Sequence, residues 1–311
     1  MIRKKVTEVG SLASYDVIIF KGGDLMAQLE RFVPQSLKEA VSLLSEYGDK
    51  AEVIAGGTDL LVRMKRGDAL PDFFISVEGI QELDHIDYDD IRGLRIGART
   101  SLRAMIDSPL IKENFPVLHE AAGTLGTPTI RNRATIGGNL CNAAPSADTA
   151  SPLIVLGARL KIQGAEGEKT LPVEDFFSGP GETCLGRNEI LTEIQVPKMP
   201  PGTRAVYLKQ TRSKGADLAL VGVAAWVAME GDVVKDVKIA LGAVAPTPIR
   251  AKKAEALLRG KRPDYKLIEA CGEAAVIESS PIDDVRSSAG YRKKLINVLV
   301  KRAIKQAVGP A

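Results

Sequence analysis

The sequence is 311 residues long, about two domains at the usual ~150 residues per domain. Hydrophobic residues make up 45% and charged residues 26%, with 29 glycines, an average globular balance that excludes disorder and collagen-like repetition. Lys plus Arg exceed Asp plus Glu by only 42 to 39, a net charge of +3, so no global field marks nucleic acid as a partner.

The amino terminus, MIRKKVTEVGSLASYDVIIFKGG, starts basic but has no apolar core of a signal peptide, which makes the cytoplasm the expected location. Residues 1–30 read as an extension or edge element. The first well-signalled element starts at Ser36, where SLKE forms a capping box ahead of Leu37, Ala40, Val41, Leu44 and Tyr47 on one helix face, and Gly48 ends it. AEVIAGGTDLLVRMKRG then reads as a short strand, a tight glycine turn and a helix, followed by the apolar strand FFISVEG. GLRIGA is the next strand. Helix signals follow from Ser101 and from Pro116 to Leu125, with Pro109 between them.

RATIGGNLCNAAPSADTASP reads as a glycine-rich, polar loop that gives way to an apolar helix ending near Gly157. RLKIQG and KTLPVEDFF predict a β-hairpin, and EILTEIQVP predicts a strand. Prolines 197, 200 and 201 in VPKMPPG predict a linker, since they continue neither a helix nor a central strand. Beyond it come three long strands, RAVYLKQTR, LALVGVAAWVAME and VVKDVKIALGAVAP, and then helices only from Lys252. Strands followed by helices predict an α+β domain. The longest apolar stretch stops at Glu230, short of the ~18–20 residues of a membrane span, so no transmembrane segment is expected.

Cys141, Cys184 and Cys271 are widely separated, with no CxxC pair and no zinc spacing. The two histidines, His85 and His119, lie in different segments, so no metal site is expected. Chemistry points instead to two glycine segments. In AGGTDLL, Gly56 and Gly57 follow a strand and precede Thr58 and Asp59; successive amides of such a turn can point into one concavity that favours an anion. TIGGNLCNAAPSAD repeats that logic, setting Gly137 and Gly138 among Thr135, Asn139, Asn142, Ser146 and Asp148. Each alone also fits an ordinary turn or surface loop. GxGxxG with a downstream acid, GxxxxGK[ST] and GxSxG are absent, so Rossmann, P-loop and serine-hydrolase readings lose their main support.

AGGTDLLVRMKRG, RNRATIGGNLCNAAPSADTASPLIVLGARL, FFSGPGETCLGRNEILTEIQVP, YLKQTRSKGADLALVGVAA and SAGYRKKL occur in this order. Together they resemble the flavoprotein subunit of molybdenum hydroxylases, the family of the carbon monoxide dehydrogenase medium subunit and the FAD segment of xanthine dehydrogenase. The likeness spans about residues 28 to 305. It implies a fold of class α+β: a vanillyl-alcohol-oxidase-type (PCMH-like) FAD-binding domain of two α/β subdomains, and a C-terminal α+β domain with a three-stranded antiparallel sheet and helices. The expected organisation is an N-terminal extension over 1–27, the FAD-binding domain over 28–200 with its subdomains split near 85–95, and the C-terminal domain over 201–311.

By the same resemblance, Ile54, Ala55, Gly56, Gly57, Thr58, Asp59 and Leu60 would wrap the FAD pyrophosphate with backbone amides. Thr135, Gly138 and Asn139 would form the second wall, Asp148 would hydrogen-bond the cofactor, Ile190 or Leu191 would supply a backbone contact, and Lys209 would face the flavin or its edge. No catalytic residue is implied. Two glycine turns can surround a dianionic pyrophosphate without a dedicated lysine. The chain lacks the extra cysteine cluster of some reductase relatives, so no iron–sulfur centre is expected in it. No residue is assigned to the aromatic position that stacks on the flavin in xanthine dehydrogenase.

The expected function is an FAD-binding electron-transfer subunit. A large molybdenum-cofactor subunit would oxidise substrate, a small iron–sulfur subunit would relay electrons to this flavin, and an external acceptor would receive them. A dimer of heterotrimers is what the family implies. The alternatives are a stand-alone flavoprotein oxidoreductase of the same superfamily and a non-catalytic assembly subunit. Cys141 reads as a small buried side chain, His119 as packing, and Trp226 as a core or interface residue. Arg286 to Lys305 reads as a basic amphipathic helix, with Tyr291, Leu295, Val298 and Leu299 at helical spacing, for an acidic partner or simply a solvated face.

Overall fold

The computed structural model describes residues 2–6, 14–22, 25–67, 71–213 and 216–309. Part of the expected N-terminal extension, residues 1, 7–13 and 23–24, lies outside them. The strands β1 (Ile2–Val6), β2 (Ser14–Gly22) and β3 (Leu25–Val33) form an antiparallel run. Helix α1 (Leu37–Tyr47), strand β4 (Ala51–Ile54), helix α2 (Leu60–Arg66) and strand β5 (Phe73–Ser76) follow, and the five strands make one sheet in the order β1-β2-β3-β5-β4. β3, β5 and β4 pair in parallel. Ser36 caps α1 by accepting from the Glu39 amide, while the Glu39 carboxylate accepts from Gln35 N–H and not from Ser36 itself. An aromatic trio, Phe32, Tyr47 and Phe73, with centroids 4.2 to 5.8 Å apart, seats the end of α1 on the sheet.

The second subdomain starts with β6 (Ile86–Asp89) and β7 (Gly93–Gly97). Short helices follow: α3 (Leu102–Asp107), α4 (Pro109–Asn114), α5 (Pro116–Thr124), α6 (Pro128–Arg131), α7 (Ile136–Cys141) and α8 (Ala150–Val155). In four of them a Ser or Thr N-cap side chain accepts from the first turn: Ser101, Ser108, Thr127 and Thr135. Pro109 stands in the first turn of α4, where its missing N–H costs nothing. The second glycine segment, expected as a loop, instead passes through α7: the Thr135 hydroxyl captures the Gly138 amide at 3.0 Å and closes a helical turn. Strands β8 (Arg159–Gly164) and β9 (Gly167–Pro172) form the hairpin, a small ribbon pairs β10 (Phe177–Gly179) with β11 (Glu182–Thr183), and β12 (Ile190–Val196) completes an antiparallel sheet ordered β6-β7-β12-β8-β9.

The C-terminal domain consists of β13 (Thr203–Gln210), β14 (Val221–Glu230), β15 (Val233–Gly242) and the two-residue β16 (Ile249–Arg250), then α9 (Lys252–Leu258), α10 (Tyr265–Glu278) and α11 (Ala289–Val308). The three long strands are joined at the edge by the short fourth one. β14 shows no polar alternation because both its faces are covered. Val221, Val223, Ala225 and Val227 pack under α9–α11, while Ala224 and Trp226 join the core of the second subdomain. Trp226 is thus an inter-domain core residue, with Lys238 Nζ 5.2 Å from its ring centroid. On α11 the buried stripe is Arg292, Ile296, Leu299, Val300, Ala303, Ile304 and Ala307. Tyr291 and Val298, expected on that stripe, face outward. Among the described residues no helix is long and apolar enough to cross a membrane.

A buried ion pair ties β16 to α9. Glu255, 3% exposed, accepts from Ile239 N–H at 2.8 Å and from Arg250 Nε and Nη2 at 2.6 and 2.5 Å. Glu255→Ala is expected to cost about 2–3 kcal/mol, since it strips the Ile239 amide of its acceptor and leaves Arg250 only its longer contact to Glu174 at 3.5 Å. A denaturant unfolding midpoint equal to the parent's would contradict that role.

Candidate functional site

A cleft of about 790 Å³ opens along the seam between the two subdomains, in the size range of organic-cofactor sites. One wall is the β4–α2 turn from Ile54 to Leu60. The other runs through Thr135, Gly138 and Asn139 of the α7 region to Ser146, Ala147 and Asp148, and Ile190 and Leu191 at the start of β12 close the floor. The cleft therefore gathers every expected site residue except Lys209, which lines a neighbouring hollow.

The first wall is shaped by Gly56 and Gly57. A Cβ on Gly56 would collide with the carbonyl of Arg133, just before the second wall, so the two walls meet backbone to backbone. Gly57 has φ +70 and lets the chain turn, although a Cβ there would meet only the Leu61 and Ile54 side chains, at 3.1 to 3.4 Å. Among the described residues no acceptor engages the amides of Gly56, Gly57, Thr58 or Asp59. Unspent donors crowded at a glycine turn suit a polyanion.

In the second wall Asn139 is pinned by Thr149, whose hydroxyl donates to Asn139 Oδ1 at 2.6 Å. Asp148 is buried and doubly held: Tyr207 OH donates to Oδ1 and Lys209 Nζ to Oδ2, both at 2.8 Å. Lys209 also donates to the Thr124 carbonyl at 3.0 Å. Its side chain, 6% exposed, reaches the cleft only through Asp148. Burial pushes the Asp148 carboxyl above the ordinary carboxylate value, against the opposing pull of Lys209 and Tyr207. Burial also raises the Tyr207 phenol, further aided by the Asp148 charge.

Cys141 lines the cleft, but burial pushes its thiol up to about 12, which leaves no reactive thiolate near neutral pH. Phe176 is buried in the core and Phe177 packs against it, and neither lines the cleft. His85 is paired with Glu193 at 3.0 Å. The sequence reading missed several lining residues: Arg63, Arg99, Pro180, Glu182, Asp217 and Leu218. Arg63 was legible one turn into α2 and faces Glu52 at 3.5 Å. Arg99 follows β7 and pairs with Asp84 at 2.9 Å, a position that no glycine signal marks.

Residues 27–199 match the model of the FAD binding domain in molybdopterin dehydrogenase, and residues 206–307 that of the CO dehydrogenase flavoprotein C-terminal domain. The chain belongs to this molybdopterin dehydrogenase FAD-binding family. It is 35% identical over 287 residues to the carbon monoxide dehydrogenase medium chain of Hydrogenophaga pseudoflava, covering 90% of this chain and 97% of that one. It is 31% identical to the xanthine dehydrogenase FAD-binding subunit of Escherichia coli O157:H7, over 89% and 94% of the two chains. The solved Hydrogenophaga pseudoflava carbon monoxide dehydrogenase superposes with a TM-score of 0.87 at 37% identity, covering 90% and 96%. Quinoline 2-oxidoreductase from Pseudomonas putida 86 superposes at 0.82 and 28% identity, covering 89% and 95%. The family's cofactor is FAD, and the chain is an oxidoreductase subunit of the molybdenum hydroxylase type.

The two glycines of the turn are predicted to respond differently to alanine. Gly56→Ala should abolish flavin retention, because the obstructing atom is a carbonyl of the opposite wall. Gly57→Ala should cost about 1–3 kcal/mol of backbone strain and weaken retention only partly. The ratio of flavin to protein absorbance after gel filtration reads both, with circular dichroism as the fold control; equal retention in the two variants would contradict the geometry.

Proposed function

We propose that this chain is the FAD-carrying electron-transfer subunit of a cytoplasmic, multi-subunit molybdenum hydroxylase. The observation that carries the proposal is the seam cleft, with its unspent amides at Gly56–Asp59 and its passage too narrow for a Cβ at Gly56. These residues fit a dinucleotide pyrophosphate. Ile54 to Leu60 would hold it from one side and Thr135, Gly138 and Asn139 from the other. Asp148, anchored by Tyr207 and Lys209, would present a fixed acceptor to the cofactor, and Lys209 would act by holding Asp148. Ile190 or Leu191 would contribute a backbone contact from the floor.

FAD, when bound, supplies two-electron acceptance with release one electron at a time, which amino-acid side chains do not provide. This chain's own residues bind, orient and enclose it, and no acid–base residue is assigned. A large molybdenum-cofactor subunit and a small iron–sulfur subunit would complete a heterotrimer, assembled as a dimer, with an external acceptor discharging the flavin. The medium chains and FAD subunits similar to this protein over nearly their whole lengths support that reading.

The test is to purify the chain alone, record its visible spectrum, release and identify the cofactor, and assay it with an artificial electron acceptor. A yellow protein that releases FAD, yet turns over neither an aldehyde nor a purine until partner subunits are added, is the expected result. A colourless chain that cannot be loaded with FAD, or an isolated chain that oxidises such substrates unaided, would contradict it.

A further inference from the structure

The SAGYRKKL segment contributes nothing to the lining of the cleft, yet it carries a buried cation at the start of α11. The Arg292 side chain is 5% exposed and its Nη2 lies 2.8 Å from Asp284 Oδ2. Nη1 donates to the Ala243 carbonyl at 2.9 Å, whereas neither Nε nor Nη2 has a hydrogen-bond acceptor among the described residues, the Asp284 contact being an ion pair only. A guanidinium buried with so incomplete a set of partners is a poor device for stability alone.

Its acceptor is unusual. Ala243 stands at φ 62, a left-handed conformation that a side-chain-bearing residue avoids without external hold. In that conformation its N–H donates to the Pro145 carbonyl at 2.7 Å. Pro145 turns its carbonyl to the C-terminal domain, while Ala144, Ser146, Ala147 and Asp148 beside it line the cleft. The same loop begins at Ala143, with φ 46, the other non-glycine residue of positive φ among the described residues. Ser280 N–H grips the next carbonyl, that of Val244, at 2.9 Å. Two hydrogen bonds therefore join α11 to the second wall of the cleft through one strained residue.

We infer that Arg292 is a positioning residue for the flavin cofactor: by holding Ala243 in its left-handed conformation it fixes Pro145, and with it the Ala144–Asp148 wall. The inference rests on the FAD reading of the cleft. Without Arg292, Ala243 relaxes toward negative φ, its amide leaves Pro145, and the wall must be ordered again at the expense of cofactor affinity. The loop's ties to its own subdomain, Gly181 N–H to Ala143 O at 3.0 Å and Ala150 N–H to Ala147 O at 3.2 Å, hold its start and its end and leave the Pro145 carbonyl to Ala243.

The test is an FAD titration of the full-length apo chain, followed by flavin absorbance and fluorescence, with Arg292→Met, Asp284→Asn, and Arg292→Met combined with Ala243→Gly. Arg292→Met is expected to raise the FAD Kd about tenfold or more, and Asp284→Asn, which loosens the guanidinium but still accepts the loop amides, about threefold. Glycine adopts the left-handed conformation without strain, so the combined variant should recover most of the loss. A purely structural Arg292 would lower the unfolding midpoint, leave the Kd unchanged, and gain nothing from Ala243→Gly. A Kd within about twofold of the parent in both single variants, or a combined variant no better than Arg292→Met, would overturn the inference. Should Arg292→Met fail to fold, an unchanged Kd in Asp284→Asn would suffice to overturn it. A parent chain that takes no FAD at all would overturn the reading beneath it as well.

Discussion

The cleft exists because two backbones touch where a side chain cannot fit. Gly56, at the end of β4, lies against the carbonyl of Arg133 in the other subdomain. That contact fixes how closely the parallel part of the first sheet approaches the helical layer of the second. It also sets the orientation of the four amides from Gly56 to Asp59, which find no acceptor among the described residues. These residues are at most partly buried, so their amides stand free on the wall of the cleft, open to a bound acceptor. The arrangement accordingly reads as one half of an interaction whose other half carries negative charge.

The C-terminal domain supports this seam and lends the cleft Asp217 and Leu218. Its inner strand β14 is buried on both faces, and through Tyr207, Ala224, Trp226 and Ala240 the sheet shares the hydrophobic core of the second subdomain. Two of its residues, Tyr207 and Lys209, hold the Asp148 carboxylate, while Ala243 holds Pro145. The loop from Ala143 to Asp148 is thus gripped at its middle and its end by the C-terminal domain. A buried carboxylate with an anchored geometry presents its acceptor without the entropy cost that a mobile side chain would carry.

Much of this was legible in the sequence. The Ser36 cap, the glycine turn, the hairpin and the three long strands carried local signals, because capping, positive φ and apolar period act over a few residues. The five ordered motifs brought the family with them, and the family brought FAD. Other features depend on contacts that no local pattern encodes. The α7 helix escaped notice because two glycines and an asparagine argue for a loop, and only the Thr135 cap overrides them. The stripe on α11 was misread because Arg292, a charged residue, occupies a core position while Tyr291 and Val298 face out. Arg99 reaches the cleft only because β7 ends at its rim.

The central claim is that the two walls recognise the pyrophosphate, so the most direct measurement compares FAD, FMN and riboflavin in equilibrium titrations of the apo chain. All three carry the same ring, and only FAD carries the diphosphate bridge. The account predicts that FAD binds about a hundredfold or more tighter than FMN, the worth of about 3 kcal/mol of charge-assisted hydrogen bonding, with riboflavin weaker still. Equal affinity for FAD and FMN would contradict it, because the amides of Gly56 to Asp59 would then have no part in holding the cofactor.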